Sequence, residues 1–519
     1  MTGLKKIFYR LFNRRNLFFI IFFLILVLGL AIRIVNIKQN DFVFGYDEVE
    51  DLIHVKRIAV NHDFVVIGKT IYNNLNLRHG VLSYYFMVPG FLLFSQNPHG
   101  VAFWNAFVGL TAVMAVYFLG KSIFKDTKLS LIAAVLYTFS YLAVEYSGWV
   151  SHPTFAPLFT LLFFLGLWKM FEKKKWGLLL NLVFLGLSIQ SDLIFIYLIP
   201  IFIIFLIIYR PKLSGFKTII VSLLAFTFSL STILYTEIKF NFSGVKTILN
   251  FSGSFDEGRI SFFERIEPFL GKFLQTISYS ITSENKGIGI LIGILIILLI
   301  FFSFLKSKKN DKYKIFFLIL YLFSPGITLL LGFHDKPWAF LGILPAISLA
   351  IAFVIVKLKS NVLVIPAVLF ILLLNIRGIL TKKITSSLFP SLPESSYFSS
   401  QLGVVDYTYK SSNGKDFSID AVTYPLYVNT YWSYHYPWYG LKKYGYEPTW
   451  FGSNQIYPHD SLKKAGGQEE FLYLIIDNTL DIPAWAKDEA VRTSNIKSRV
   501  LEEKKIGGFI VQKRKLILR

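Results

Sequence analysis

The residues Tyr46-Asp47-Glu48-Val49-Glu50-Asp51 put four carboxylates directly after the chain's first apolar run, Leu17 to Val35. That run is long enough to span a bilayer, so the acids emerge at the far membrane surface. A carboxylate fixed there can take a proton from an incoming hydroxyl, which is general-base work needing one well-placed acid. Asp47 and Glu48 are the catalytic candidates. The same residues suit a helix start, with Asp47 as the cap of a helix beginning at Glu48 and with Glu50 and Asp51 in its first turn. The two uses employ different oxygens and are compatible. Cations follow at Lys56-Arg57 and Arg78-His79, just before apolar character returns at Val81.

Acids with basic groups close behind suit chemistry on a phosphate-linked lipid. A phosphate leaves readily without a strong acid but needs cations to hold it. Arg78 and His79 are the first candidates for that clamp, Arg by its planar fork. Snorkelling to head groups is the plainer use of a cation at this position. Arg259, Arg265 and Lys336 are further external cations. His334-Asp335-Lys336 ends a span, but one His-Asp pair without further spaced ligands does not define a metal site. No metal site and no cofactor are read from the sequence. Glu145, Trp149, His152 and Asp192 fall at external helix ends, where ionisable groups line cavities and Trp anchors the interface. His152, Asp192, His334 and Lys336 are the cavity and acceptor candidates.

The elements that must position these groups are membrane helices. Of the 519 residues 54% are hydrophobic and only 17% charged, well below the roughly 25% charged of soluble domains. Apolar runs of about 20 residues indicate helices rather than barrel strands. They fall near 17–37, 100–124, 129–146, 153–171, 177–191, 192–209, 216–237, 286–305, 314–333, 338–357 and 361–380. The apolar segment 81–94 is short for a crossing. The first helix is too long for a cleavable signal and has no small-residue cleavage site after it. There is no cysteine, which excludes disulfides and thiolate metal sites.

The net charge of +22 sits mostly in short loops such as Lys173-Lys174-Lys175 and Lys306 to Lys314, as the positive-inside rule requires. This predicts a cytoplasmic N-terminus, with loop 38–80 and the C-terminal region outside, provided that segment 81–94 does not cross alone. Anionic membrane lipids suit the basic loops, and no nucleic-acid partner is expected. Residues 238–285 read as a polar external loop. From about 382 the chain is soluble in character, after a Ser-rich linker with Pro390 and Pro393. Strand-like runs at 417–423, 471–476 and 508–512, with a charged helical stretch around 484–504, predict an extracytoplasmic α/β or α+β domain over 382–519. Residues 1–381 form the membrane domain. The aromatic stretch from Tyr424 to Trp450 offers glycan contact, a membrane belt or ordinary core.

The order of these features resembles the GT-C membrane glycosyltransferases, in the branch of the protein O-mannosyltransferases and lipid A aminoarabinose transferases. Tyr46-Asp47-Glu48 parallels the acidic motif of that branch's first external loop. Arg78-His79-Gly80-Val81-Leu82-Ser83-Tyr84-Tyr85 parallels its basic loop end, and Asn105 to Phe124 its third membrane segment. The usual basic-Pro-Pro pattern is here His79-Gly80-Val81. No Asp-any-Asp motif of the oligosaccharyltransferase type follows the third segment, which speaks against a divalent-metal requirement. The resemblance implies an all-α, GT-C-like polytopic domain of about 11–13 spans with the external C-terminal domain. It implies inverting transfer of a sugar from a polyprenyl-phosphate donor to a hydroxyl of a glycan, lipid or protein acceptor. Asp47 would then be the base and Glu48 the second carboxylate. Arg78 and His79, with Arg259 or Arg265, would hold the donor phosphate. A transporter or flippase of lipid-linked glycans is the alternative, but it would show symmetric halves with broken helices, and no internal repeat is visible.

Overall fold

The computed structural model describes residues 14–39, 43–71, 74–212, 215–249, 261–283, 285–331, 336–381 and 392–517. They divide into two compact units. One takes in Met1–Lys38, Val65–Met87 and Ala102–Lys382, the other Gln39–Phe64, Val88–Val101 and Lys383–Arg519.

The first unit is helical. Phe18–Lys38, Pro98–Phe124, His152–Phe171, Lys286–Lys306, Pro337–Val356 and Asn361–Thr381 are each long and apolar enough to cross a membrane. Three bent helix pairs are long and apolar enough when taken together: Thr127–Thr138 with Tyr141–Ser147, Phe216–Ser229 with Ser231–Lys239, and Lys309–Leu322 with Ser324–Leu330. Trp176–Ser191 and Leu193–Tyr209 are shorter apolar helices. Every span expected from the sequence therefore carries helix, and the chain is a multi-pass membrane protein. Pro337–Val356 is enclosed by its neighbours, with nearly all its residues buried. Lys286–Lys306 instead exposes Leu291, Leu295, Leu298 and Phe302. Such a run of bare apolar side chains marks a face that meets lipid or another protein.

A break in a membrane helix frees backbone groups that must find partners inside the protein. At the bend between Thr138 and Tyr141, the Tyr141 N–H donates to Asn375 Oδ1 at 2.8 Å. The Asn375 amide in turn donates to Ile281 O at 3.0 Å. The short helix Leu82–Leu93 has 12 residues. At 1.5 Å per residue it reaches about 18 Å, short of a hydrocarbon core of about 30 Å.

The described residues of the stretch 238–285, expected as a polar loop, include the helices Ser243–Leu249 and Ile266–Ile281. Ile266–Ile281 buries Phe269, Phe273, Ile277 and Ile281, which recur every four residues and form one face. It packs closely on Lys286–Lys306 because Gly289 and Gly293 present no side chain. A Cβ on Gly289 would lie 2.2 Å from Ser278 Oγ, and one on Gly293 2.6 Å from Ile277 Cγ2. This small-residue spacing is the usual means of close helix approach in membranes. The described residues of loop 38–80 likewise carry secondary structure. Its part in the first unit holds the antiparallel hairpin β1 (Thr70–Ile71) and β2 (Asn74–Arg78).

The second unit is built on a five-stranded sheet of β3 (Phe417–Val422), β4 (Thr449–Trp450), β5 (Phe471–Asp477), β6 (Ser498–Ile506) and β7 (Phe509–Leu516), in the order β4-β3-β5-β7-β6. β3 runs parallel to β4 and β5, and β7 runs antiparallel to β5 and β6. The central strand β5 is buried along its whole length, as expected for a continuous apolar run covered on both faces. The helical stretch expected to reach 504 stops at Lys497, and 498–506 is strand β6. Its charged residues look like a helix surface in sequence but here protect an exposed sheet edge. Trp432, Tyr434 and Tyr436 from the aromatic stretch are fully buried, so this part of it is core.

Candidate functional site

In the second unit the helix Tyr46–Ala59 carries the acidic motif. Its N-cap is Gly45, without a side-chain cap, and Asp47 and Glu48 lie in its first turn. Asp47 is therefore not the cap that the sequence suggested. Both acids still gain from the positive end of the helix dipole. They sit differently: Asp47 is exposed, whereas Glu48 and Asp51 are buried. A Cβ on Gly45 would lie 3.1 Å from Glu48 Oε2, so the Glu48 carboxylate folds back over the helix start.

A polar framework fixes this helix start. Phe44 N–H donates to Ser396 O at 2.8 Å. Gln401 Nε2 donates to Phe44 O at 2.6 Å and to Ser395 O at 2.9 Å. Gln401 Oε1 lies 2.6 Å from His435 Nε2. An amide oxygen only accepts, so Nε2 carries the imidazole proton. Burial lowers the pKa of His435 to about 3, so the ring is neutral at ordinary pH. The Tyr46 N–H donates to the Tyr431 hydroxyl. That hydroxyl is held far above its usual pKa, first by burial and then by the carboxylates of Asp477, Glu48 and Asp47. Tyr431 is thus a neutral hydroxyl near three acids. The sequence placed it only among many aromatics, and Gln401 and His435 had no signal at all.

In the first unit, His79, His152 and Asp192 converge. One ligand atom from each lies within 4.8 Å of the others. The rings of His79 and His152 are 4.2 Å apart, centre to centre, and His152 Nε2 is 3.5 Å from Asp192 Oδ2. His152 and Asp192 are buried, and His79 is half-buried. Each is carried by a firm element. His152 opens the tight turn His152–Phe155, followed at once by Pro153. Asp192 sits at the joint between Trp176–Ser191 and Leu193–Tyr209, where its Oδ1 accepts from Ile194 N–H at 2.9 Å. His79 follows β2, its N–H donating to Lys69 O at 3.0 Å. Gly80 is what allows this approach, since a Cβ there would lie 2.6 Å from Gln190 O and 2.8 Å from its Cα. The sequence grouped His79 with Arg78 as a clamp and set His152 and Asp192 apart as cavity candidates. The structure instead joins His79 to the latter two.

Arg78 lies on β2, where successive side chains point to opposite sides. Its guanidinium stacks 4.7 Å over the Phe240 ring and donates to Gly68 O at 3.4 Å. Arg265 is buried at the start of Ile266–Ile281 and donates to Leu329 O at 3.1 Å. Lys336 is half-buried before the turn Pro337–Ile343. Arg259 and His334 lie outside the described residues.

Residues 78–235 match the family model of dolichyl-phosphate-mannose-protein mannosyltransferases. No curated protein matches the chain in sequence. Among solved structures it is similar to ArnT from Cupriavidus metallidurans bound to undecaprenyl phosphate. That match has a TM-score of 0.59 and 10% identity over 94% of this chain and 97% of that one. The apo state of the same protein matches equally well. The archaeal oligosaccharyltransferase AglB from Archaeoglobus fulgidus, in complex with an inhibitory peptide and a dolichol-phosphate, matches at a TM-score of 0.42. Its identity is 14%, over 76% of this chain and 62% of that one. The family match and the ArnT match agree with the resemblance read from the sequence. The chain has an ArnT-like GT-C fold, and the segment matched by the family model contains His79, His152 and Asp192.

Proposed function

We propose that this chain is a membrane glycosyltransferase that moves a sugar from a polyprenyl-phosphate donor to an acceptor hydroxyl on the extracytoplasmic face, with inversion. The observation that carries the reading is the His79–His152–Asp192 cluster inside the matched segment 78–235. The fold supports it by analogy only, because folds host many chemistries. The ArnT structure holds undecaprenyl phosphate, and a donor of that class fits the cationic and imidazole groups of the first unit.

In the proposed reaction the acceptor oxygen attacks the anomeric carbon. Asp47 takes the hydroxyl proton, and the bond from the anomeric carbon to the phosphate oxygen breaks, with its electron pair leaving on polyprenyl phosphate. Asp47 suits the base because it is exposed in the first turn. Buried Glu48 is the second carboxylate beside Tyr431. His79 and Arg78 are assigned to the donor phosphate, with Arg259 and Arg265 as further cations of the same kind. His152, Asp192, His334 and Lys336 are assigned to the cavity wall. The lysine-rich loops support a cytoplasmic N-terminus and an external second unit.

The test is release of polyprenyl phosphate from a labelled polyprenyl-phosphate sugar by purified protein in the presence of membrane extract. Asp47→Asn keeps the shape but loses the base, so turnover should fall about 10²–10⁴-fold while thermal unfolding stays unchanged. Normal turnover in both Asp47→Asn and Glu48→Gln would remove the base from this motif. If the parent protein consumes no polyprenyl-phosphate sugar, the whole reading falls.

A further inference from the structure

We propose that His79, His152 and Asp192 form a binding site for one divalent transition-metal ion of the zinc class, with a coordination position left open for a phosphate oxygen. The metal site rests on the cluster geometry. Only the identity of the fourth ligand rests on the glycosyl-transfer reading above.

The donor set points to the class of ion. Two imidazoles and one carboxylate are what catalytic zinc sites use, with three protein ligands and a fourth position for water or substrate. Calcium and magnesium prefer oxygen ligands throughout.

The spacing points the same way. Bonds of about 2.0–2.1 Å in tetrahedral geometry put two ligand atoms about 3.4 Å apart. His152 Nε2 and Asp192 Oδ2 are 3.5 Å apart. That is long for a charge-assisted hydrogen bond, which runs about 2.7–2.9 Å, but suits two ligands of one ion. All three ligand atoms lie within 4.8 Å of one another, so His79 closes the set by a small side-chain movement.

The surroundings prepare each ligand. Asp192 Oδ1 is taken by Ile194 N–H, which leaves Oδ2 for the ion. His152 Nδ1 faces Ser151 Oγ at 3.5 Å, so Nε2 is the ring nitrogen turned to Asp192 and the cluster. His152 and Asp192 are buried, while His79 is half-buried, so the cluster is open on the His79 side. A phosphate oxygen arriving there would complete the coordination and place a dipositive charge where the leaving group gathers negative charge.

The experiment uses the full chain in detergent, stripped with chelator and then titrated with zinc chloride. Bound metal is measured by mass spectrometry, and fold by thermal unfolding. Cobalt chloride then replaces zinc, so that the visible spectrum reports coordination. The expected result is one ion per chain and a cobalt spectrum of tetrahedral intensity that shifts when undecaprenyl phosphate is added. His79→Gln, on the half-buried side, should weaken zinc binding about a hundredfold or more without unfolding the chain, and His152→Ala and Asp192→Asn should do the same. His62→Ala, an exposed histidine outside the cluster, should bind zinc like the parent. The proposal is overturned if the parent holds no zinc, or if a folded His79→Gln protein holds it with parental affinity. A cobalt spectrum blind to undecaprenyl phosphate overturns the open position. A parent that binds zinc at the cluster but consumes no polyprenyl-phosphate sugar overturns the enzyme reading and leaves the metal site standing. Full sugar transfer by protein that never binds metal does the reverse.

Discussion

Gly80→Ala should damage both stability and donor binding, through one added carbon. The new Cβ would lie 2.1 Å from Gln190 Oε1, 2.6 Å from Gln190 O and 2.8 Å from Gln190 Cα. The side-chain oxygen cannot swing away freely, because the Gln190 amide is bonded to Thr232 at both ends. The other two atoms are backbone. Ordinary contact begins near 3.4 Å, so the two chain segments must part by about 0.8 Å at the carbonyl. Overpacking of this kind costs about 1–3 kcal/mol. The movement is also transmitted to His79, the adjacent residue, and to Asp192, two residues beyond Gln190. A misplacement near 1 Å at a reacting group can cost about 10²-fold in rate. Gly271→Ala is the matched control. Gly271 lies within the helix Ile266–Ile281, and its Cβ would meet nothing within 4 Å. That substitution should stabilise by roughly 0.5–1 kcal/mol. The assays are thermal unfolding in detergent and titration with undecaprenyl phosphate. If Gly80→Ala unfolds at the parental temperature and binds undecaprenyl phosphate as the parent does, the argument that Gly80 seats His79 is wrong.

Two further outcomes are expected. Arg78→Ala should weaken undecaprenyl phosphate binding about tenfold or more, since a charged hydrogen bond contributes roughly 1.5–3 kcal/mol. Arg78→Lys should recover part of the loss because charge returns without the fork. Parental binding by both variants would leave Arg78 its stacking on Phe240 and its hydrogen bond to Gly68 O. Burial lowers the pKa of His435 to about 3, so between about pH 6.5 and 3 the unfolded chain binds a proton there that the folded chain does not. Stability from this residue is present above pH 6.5 and is lost as pH falls through that window, by up to roughly 1.4 kcal/mol per pH unit. Asp420 and Asp477, raised to about 6 by burial, act with the opposite sign, so the effect is read as a difference. The stability of His435→Gln relative to the parent should rise on acidification. A difference that stays flat from about pH 7 to 4.5 would contradict a buried neutral His435.

The membrane spans were legible because lipid imposes one rule on the backbone, and apolar runs of a set length announce it. Ile266–Ile281 escaped for a related reason. It buries only one face, and its polar residues average away the signal that marks a full span. Strand β6 was hidden because an edge strand is protected by the same charges that decorate a helix surface. Pattern alone could not separate Glu502-Glu503-Lys504-Lys505 on a sheet edge from the end of the helix Ala484–Lys497. The helix start at Tyr46 was missed by two residues. A capping Asp is the better sequence signal, but here Gln401 and Ser396, some 350 residues later, hold the backbone of Phe44 and let Gly45 take the cap.

The site was legible as a set of residue types but not as a set of neighbours. Arg78 and His79 are adjacent in the chain, and adjacency suggested a joint clamp. An extended backbone turns adjacent side chains to opposite sides, so Arg78 reaches Phe240 while His79 reaches His152 and Asp192. The residues that join His79 to its partners are far apart in sequence, and no spacing rule links positions 79, 152 and 192. The visible clue was the departure from the basic-Pro-Pro pattern. A proline at position 80 would carry the same Cβ into the Gln190 backbone, at 2.6 Å from its oxygen. Glycine at that position and histidine before it are therefore one structural choice. The loop gives up a rigid proline to come within reach of Gln190, and the closer approach sets an imidazole beside a second imidazole and a carboxylate.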